Sequence, residues 1–278
     1  MRDYTLAYSP CPNDTYIFGA LTNGLLSGAP QVRVALADIE ELNHAASRGE
    51  YELIKVSYGA IPFLMDRYRI LPVGGALGRG CGPLLVARPA AAPPLFSEVA
   101  AKRVAIPGER TTAFMLLQLA LGTRPKTLTM RFDRIIPAVV AGEVDAGLII
   151  HESRFTYREA GLISIADLGE WWENMTLLPV PLGAVLVRDD VGDDETRAIG
   201  AAIARSLAFA RENDAAVMPY VRAHATEMDD DVMRSHIDLY VNEFTEDLGE
   251  IGREAVHALF SRAHDAGILR HAVEPRFA

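Results

Sequence analysis

Gly147-Leu148-Ile149-Ile150 is an apolar run that ends in an imidazole, followed by Glu152, Ser153 and Arg154. Residues 147–150 read as the end of a buried strand. In open α/β sheets, ligand clefts form outside the carboxyl ends of strands. Histidine is the side chain whose ordinary pKa lies nearest neutral pH, so His151 at such a corner suits general acid–base work. The competing reading of a lone His there is a core residue bonded to a backbone carbonyl. A second polar corner, Ser9-Pro10-Cys11-Pro12-Asn13-Asp14-Thr15, follows a short strand and opens a helix. Its two prolines fix the backbone and could aim Asn13 and Asp14 into a cleft. A rigid turn with Asp14 as N-cap is the alternative. Two such corners in one chain indicate a small-molecule site.

Further candidates sit at other element ends. Lys55, Val56 and Ser57 close a strand. Ser57 and the local backbone can bond a ligand, whereas Lys55 is expected to offer only its backbone, because adjacent strand residues point to opposite faces. Thr111 and Thr112 open a helix whose free amides and positive dipole end suit an anion or hydroxyl. Plain N-capping competes with binding there. Arg79 lies in a segment carrying Gly74, Gly75, Gly78, Gly80 and Gly82 and is a candidate partner for a substrate carboxylate. The glycines match neither GxGxxG after the first strand nor a Walker A loop. They read as positions free to take positive φ near a chain crossing. Cys11 has no sequence neighbour to lower its pKa and reads as packing. The other histidines, His44, His224, His236, His257, His264 and His271, are expected to be surface or structural. Glu152 and Arg154 are expected to form a solvated pair at a lobe edge.

The elements that must position these residues alternate. Strands are expected at residues 5–8, 31–37 and 52–56, with helices at 14–26, 39–47 and about 58–65. That order predicts a mainly parallel sheet covered by helices. Residues 84–87 read as a strand and 89–94 as an Ala/Pro-rich surface segment. A second α/β run follows: strands at 103–106, 128–132 and 146–150, helices at 111–121 and 135–141. The stretch 161–175 gives no clear element. A strand at 182–187 precedes helices from Asp193 onward, near 214–224, 231–240 and 250–266. The economical architecture is two α/β lobes with two crossovers, near 84–92 and 178–186. Residues 1–88 and 182–278 then form one lobe and 89–181 an inserted second lobe, with a ligand cleft between them. This is the arrangement of the type II periplasmic binding proteins.

The chain has 278 residues, half of them hydrophobic, and a formal net charge of -10. The acidic balance argues against nucleic acid, whose phosphates need clustered Lys and Arg. The two cysteines have no metal-ligand spacing, so no metal site is expected. No export leader and no membrane-spanning run is evident, and the expected location is the cytoplasm.

Five segments carry a family resemblance: residues 9–15, Lys55-Val56-Ser57, Gly74-Gly-Ala-Leu-Gly-Arg-Gly80, Thr111-Thr112, and 147–157. In that order they resemble the 1,4-dihydroxy-6-naphthoate synthases of the futalosine route to menaquinone, over the whole chain. Tyr16 and Val56 are minor departures. The resemblance implies the two-lobed fold. It also implies conversion of cyclic dehypoxanthine futalosine into 1,4-dihydroxy-6-naphthoate, with loss of a three-carbon fragment written as dihydroxyacetone. The family's catalytic histidine falls on His151, and its substrate contacts fall on Lys55 to Ser57 and on Thr111 and Thr112. No cofactor is implied, and the expected state is a monomer or homodimer. The chorismate dehydratases of the same pathway share the fold without this His-Glu-Ser-Arg segment. A solute-binding protein feeding a transporter is the non-catalytic alternative, disfavoured by the missing leader and by an ionisable base in the expected cleft.

Overall fold

A computed structural model of the protein describes residues 4–89, 95–225 and 229–278. The Ala/Pro-rich segment lies largely outside these residues. Two sheets organise the chain. The first has the order β2 (Val32–Leu36), β1 (Tyr4–Tyr8), β3 (Leu53–Ser57), β11 (Val180–Arg188), β4 (Tyr68–Ile70), with β5 (Ala76–Gly78) also on β11. The second has the order β10 (Ile163–Asp167), β6 (Leu84–Ala87), β9 (Ala146–Ile149), β7 (Arg103–Ile106), β8 (Lys126–Thr129).

Each sheet keeps a parallel trio, β2-β1-β3 and β8-β7-β9. The strands joining the units run against it: β11 is antiparallel to β3, and β6 to β9. The sheets are therefore mixed rather than mainly parallel. β6 belongs to the second sheet, so the chain crosses before residue 84 and not after 88. The glycine-rich stretch is itself the crossing. Gly74 and Gly80 take positive φ there. Gly82 meets another need: a Cβ on it would lie 2.2 Å from the Gly169 Cα, so only glycine lets the crossing pass α6 (Leu168–Thr176). β4, β5, β10 and α6 carry too little period to be anticipated.

The helix α1 (Pro12–Thr22) is buried along nearly its whole length. It packs between the first sheet and three helices, α7 (Asp193–Glu212), α8 (Asp214–His224) and α9 (Asp230–Tyr240). Apolar residues therefore surround it instead of forming one stripe. Its N-cap is Cys11 with Pro12 at the first helical position, and Asp14 sits in the first turn, which corrects the expected Asp14 cap. Proline suits that position because its missing N–H is one the helix leaves unbonded. The helix expected at 58–65 is a single 3-10 turn, Ile61–Phe63. No helix among the described residues is long and apolar enough to cross a membrane.

Candidate active site

A cavity lies where the carboxyl ends of β1, β3 and β9 face one another. The centre of a water molecule can sweep about 80 Å³ of it. The first unit contributes Ser9, Asn13, Asp14, Lys55, Ser57, His236 and Tyr240 to its lining, and the second Thr111, Thr112, Ile150 and His151. The expected cleft residues Asn13, Asp14, Lys55, Ser57, Thr111, Thr112 and His151 are thus brought together.

His151 follows β9 with φ 56°, in the left-handed region that a non-glycine residue enters at a cost of about 1–2 kcal/mol. Such strain concentrates at functional positions. The ring is held from two sides. Phe132 meets it edge-on with centroids 5.0 Å apart, and the Cys11 sulfur lies 3.4 Å from Nδ1. Nε2 is enclosed without a partner among the described protein groups. Burial lowers the imidazole pKa from 6.5 to about 4; the Asp14 charge opposes this and the Lys55 charge adds to it. The ring is therefore neutral at physiological pH.

Cys11 is more than packing, since it abuts the imidazole across 140 positions of sequence. Burial, reinforced by the Glu152 charge, pushes its thiol pKa well up. It meets His151 as a protonated thiol, not a nucleophile. Ligand-capable atoms of Cys11, His151 and Glu152 lie within 4.8 Å of one another, a proximity that no sequence spacing announces.

Asp14 anchors the floor. Its carboxylate accepts from Lys55 Nζ at 2.7 Å, Ser9 Oγ at 2.9 Å and Asn13 Nδ2 at 3.0 Å. Lys55 also donates to the Gly74 carbonyl at 2.7 Å. The Lys55 ammonium thus faces the cavity, correcting the expectation of backbone contacts alone. Lys55 and Asp14 are both almost fully enclosed. A buried charge needs this kind of partner and satisfied donors to be tolerated.

The rim is stitched across the two units. The Thr112 hydroxyl accepts from the Gly59 amide at 3.0 Å and donates to the Leu182 carbonyl at 2.7 Å. A Cβ on Gly59 would lie 2.7 Å from the Thr111 carbonyl oxygen, so glycine permits the close approach of the units. Thr111 caps α3 (Thr112–Leu121), accepting from Phe114 N at 3.3 Å and donating to Gly108 O at 2.8 Å. Both threonine hydroxyls are thus occupied. The amides of Thr112 and Ala113, which a helix leaves without internal partners, are the donors this end offers the cavity. Ser57 is oriented by Asn43, which bonds its amide at 2.9 Å and its hydroxyl at 3.2 Å. Glu40 accepts from Asn43 at 2.9 Å and reaches over to the Arg110 amide at 3.2 Å.

Other expectations fall away from the cavity. Val56 is packed in the core under the first sheet. Arg79 is half exposed, bonds the Leu177 carbonyl and neighbours Glu173; it does not line the cavity. Arg154 is no solvated partner of Glu152. Its guanidinium spans the Gly82 and Gly80 carbonyls and the Asp167 carboxylate, at 2.6, 3.0 and 2.7 Å, and Glu152 is buried. His236, expected at the surface or in a structural role, is 1% exposed and lines the cavity. Its Nε2 lies 3.0 Å from Asn13 Oδ1. A signal was available: α9 buries Met233, His236, Ile237 and Tyr240 on one face, and a histidine inside an apolar stripe invites the question of its partner. Cys81 also lines the cavity, its thiol pushed up to about 12, mainly by burial.

Comparison with known proteins places the chain in a family. The family model described as menaquinone biosynthesis matches residues 4–265. A Streptomyces coelicolor protein named 1,4-dihydroxy-6-naphtoate synthase is 47% identical over 95% of this chain and 94% of its own. A Thermus thermophilus protein of the same name is 47% identical over 100% of both chains. Among solved structures, protein AF1704 from Archaeoglobus fulgidus superposes with a TM-score of 0.90 at 35% identity, covering 96% of this chain and 98% of that one. The alkanesulfonate-binding protein SsuA from Xanthomonas axonopodis pv. citri gives 0.76 at 13% identity, covering 98% and 96%, and shows the periplasmic-binding-protein fold alone. With nearly its whole length matched, the chain belongs to the menaquinone biosynthesis family.

Proposed function

We propose that this chain is a lyase that converts cyclic dehypoxanthine futalosine into 1,4-dihydroxy-6-naphthoate and dihydroxyacetone, with His151 as general base. The observation that carries the reading is His151 itself: a neutral imidazole, in strained left-handed backbone, at the end of β9 beside the shared cavity. Identity of 47% along nearly the whole chain to two proteins named 1,4-dihydroxy-6-naphtoate synthase supports the choice of product.

A general base must be unprotonated before it acts. Enclosure secures that state. As the proton arrives, the new imidazolium is opposed by burial and by Lys55 and favoured by the Asp14 carboxylate. The open amides at the start of α3 suit a carboxylate or ring oxygen of the substrate. Closure of the units through Thr112 and Gly59 excludes water from the reacting atoms.

The test is an anaerobic incubation of the purified protein with cyclic dehypoxanthine futalosine, following 1,4-dihydroxy-6-naphthoate by mass. Wild type should form product. His151→Asn, which tolerates left-handed backbone, should lose about 100-fold or more of kcat while still binding substrate. Turnover retained in that variant would remove His151 as base, and an inactive wild type would remove the reaction.

A further inference from the structure

His236 stands apart from every residue used so far. The Asp14 carboxylate accepts from Asn13 Nδ2, which fixes the Asn13 amide so that its Oδ1 faces His236 Nε2. An amide oxygen only accepts, so Nε2 carries the proton. Nδ1 is then a bare lone pair. It is enclosed, without a partner among the described protein groups, on a ring that lines the cavity. Burial and the neighbouring His151 lower the pKa of this imidazole well below its usual value, so it stays neutral. A buried acceptor left unpaired costs stability. Like His151 Nε2, it is a buried ring nitrogen of a cavity residue with no partner among the described protein groups.

We infer that His236 Nδ1 accepts a hydrogen bond from a substrate hydroxyl and so helps to set specificity. The His236 and His151 rings lie 6.3 Å apart and nearly parallel, 22° between planes. The two imidazoles thus address neighbouring points of one ligand: His151 takes the proton and His236 holds a hydroxyl in place. Asn13, Asp14 and Lys55 fix the tautomer that makes this possible. The identity of the hydroxyl rests on the reaction proposed above, whose three-carbon fragment carries such groups. The acceptor itself rests on the geometry alone.

Two substitutions separate this role from a structural one. Asparagine places an amide near the Nδ1 position, and glutamine near Nε2. If Nδ1 serves the substrate, His236→Asn keeps more kcat/KM than His236→Gln, and the latter falls about 10- to 100-fold, mainly in KM. If His236 merely holds Asn13, glutamine is the better replacement, and that order overturns the inference. Nitrogen NMR of ¹⁵N-histidine-labelled full-length protein reads the tautomer directly. An Nε2–H, Nδ1-bare signal for His236 is expected, and an Nδ1–H signal overturns the inference whatever the kinetics. An inactive wild type counts against the reaction, and the tautomer then judges His236 by itself.

Discussion

Replacing Lys55 by methionine removes the ammonium that neutralises Asp14 while keeping a long apolar stem. Asp14 would retain its Ser9 and Asn13 donors but no buried cation. Removing one partner of a buried pair costs about 3–5 kcal/mol. At about 2.1 cal/mol/K of unfolding entropy per residue, a loss of 4 kcal/mol lowers Tm by about 7 °C in a chain of this length. Thermal or urea unfolding of wild type and Lys55→Met measures the loss. A penalty below about 1 kcal/mol would refute the account of an enclosed, mutually dependent pair. Asp14→Asn added to Lys55→Met should recover much of the loss, because neither charge then remains.

The folded pKa of His151, about 4, lies below its ordinary 6.5. The unfolded chain therefore binds the extra proton first as pH falls. This contribution to stability is full above pH 6.5 and is lost toward pH 4, by about 2.5 kcal/mol at pH 4.5. His151→Asn should flatten the acid limb of a Tm–pH curve by about that amount, and an unchanged limb would contradict the buried neutral ring. Thr112→Val strips partners from the Gly59 amide and the Leu182 carbonyl. It should cost about 2–4 kcal/mol and raise KM, with Thr112→Ser restoring both; a silent valine variant would show that the two units do not close through this hydroxyl. Gly59→Ala drives a methyl against the Thr111 carbonyl and should lower kcat/KM at least about 10-fold. Normal turnover would mean that the working enzyme never brings these backbones so close.

The alternation of strands and helices, and the corners at residues 9–15, 55–57, 111–112 and 147–157, were legible because each pairs an apolar run with turn chemistry. What escaped was set across the chain. The face turned by Lys55 depends on β11 and on the Gly74 carbonyl, not on its neighbours. Val56 shares the motif of Lys55 and Ser57 but alternates into the core, as strand geometry requires. Arg79 followed a composition cue, yet the crossing strand carries it outward to Leu177. His236 is 223 positions from the Asn13 oxygen that defines it, and Cys11 is 140 from His151; no local pattern records such partners. The first crossing was misplaced because β6 reads as a buried strand in either sheet. Only its pairing with β9 and β10 decides.

The left-handed backbone at position 151 sets two demands against each other. In a library of all replacements there, sorted by resistance to heat or protease alone, glycine and asparagine should rise. They relieve a backbone cost of about 1 kcal/mol, and the histidine should sink. The same library sorted by turnover should return histidine. The distance between the two rankings would measure, in units of folding stability, how much the chain gives up to hold an imidazole where it is.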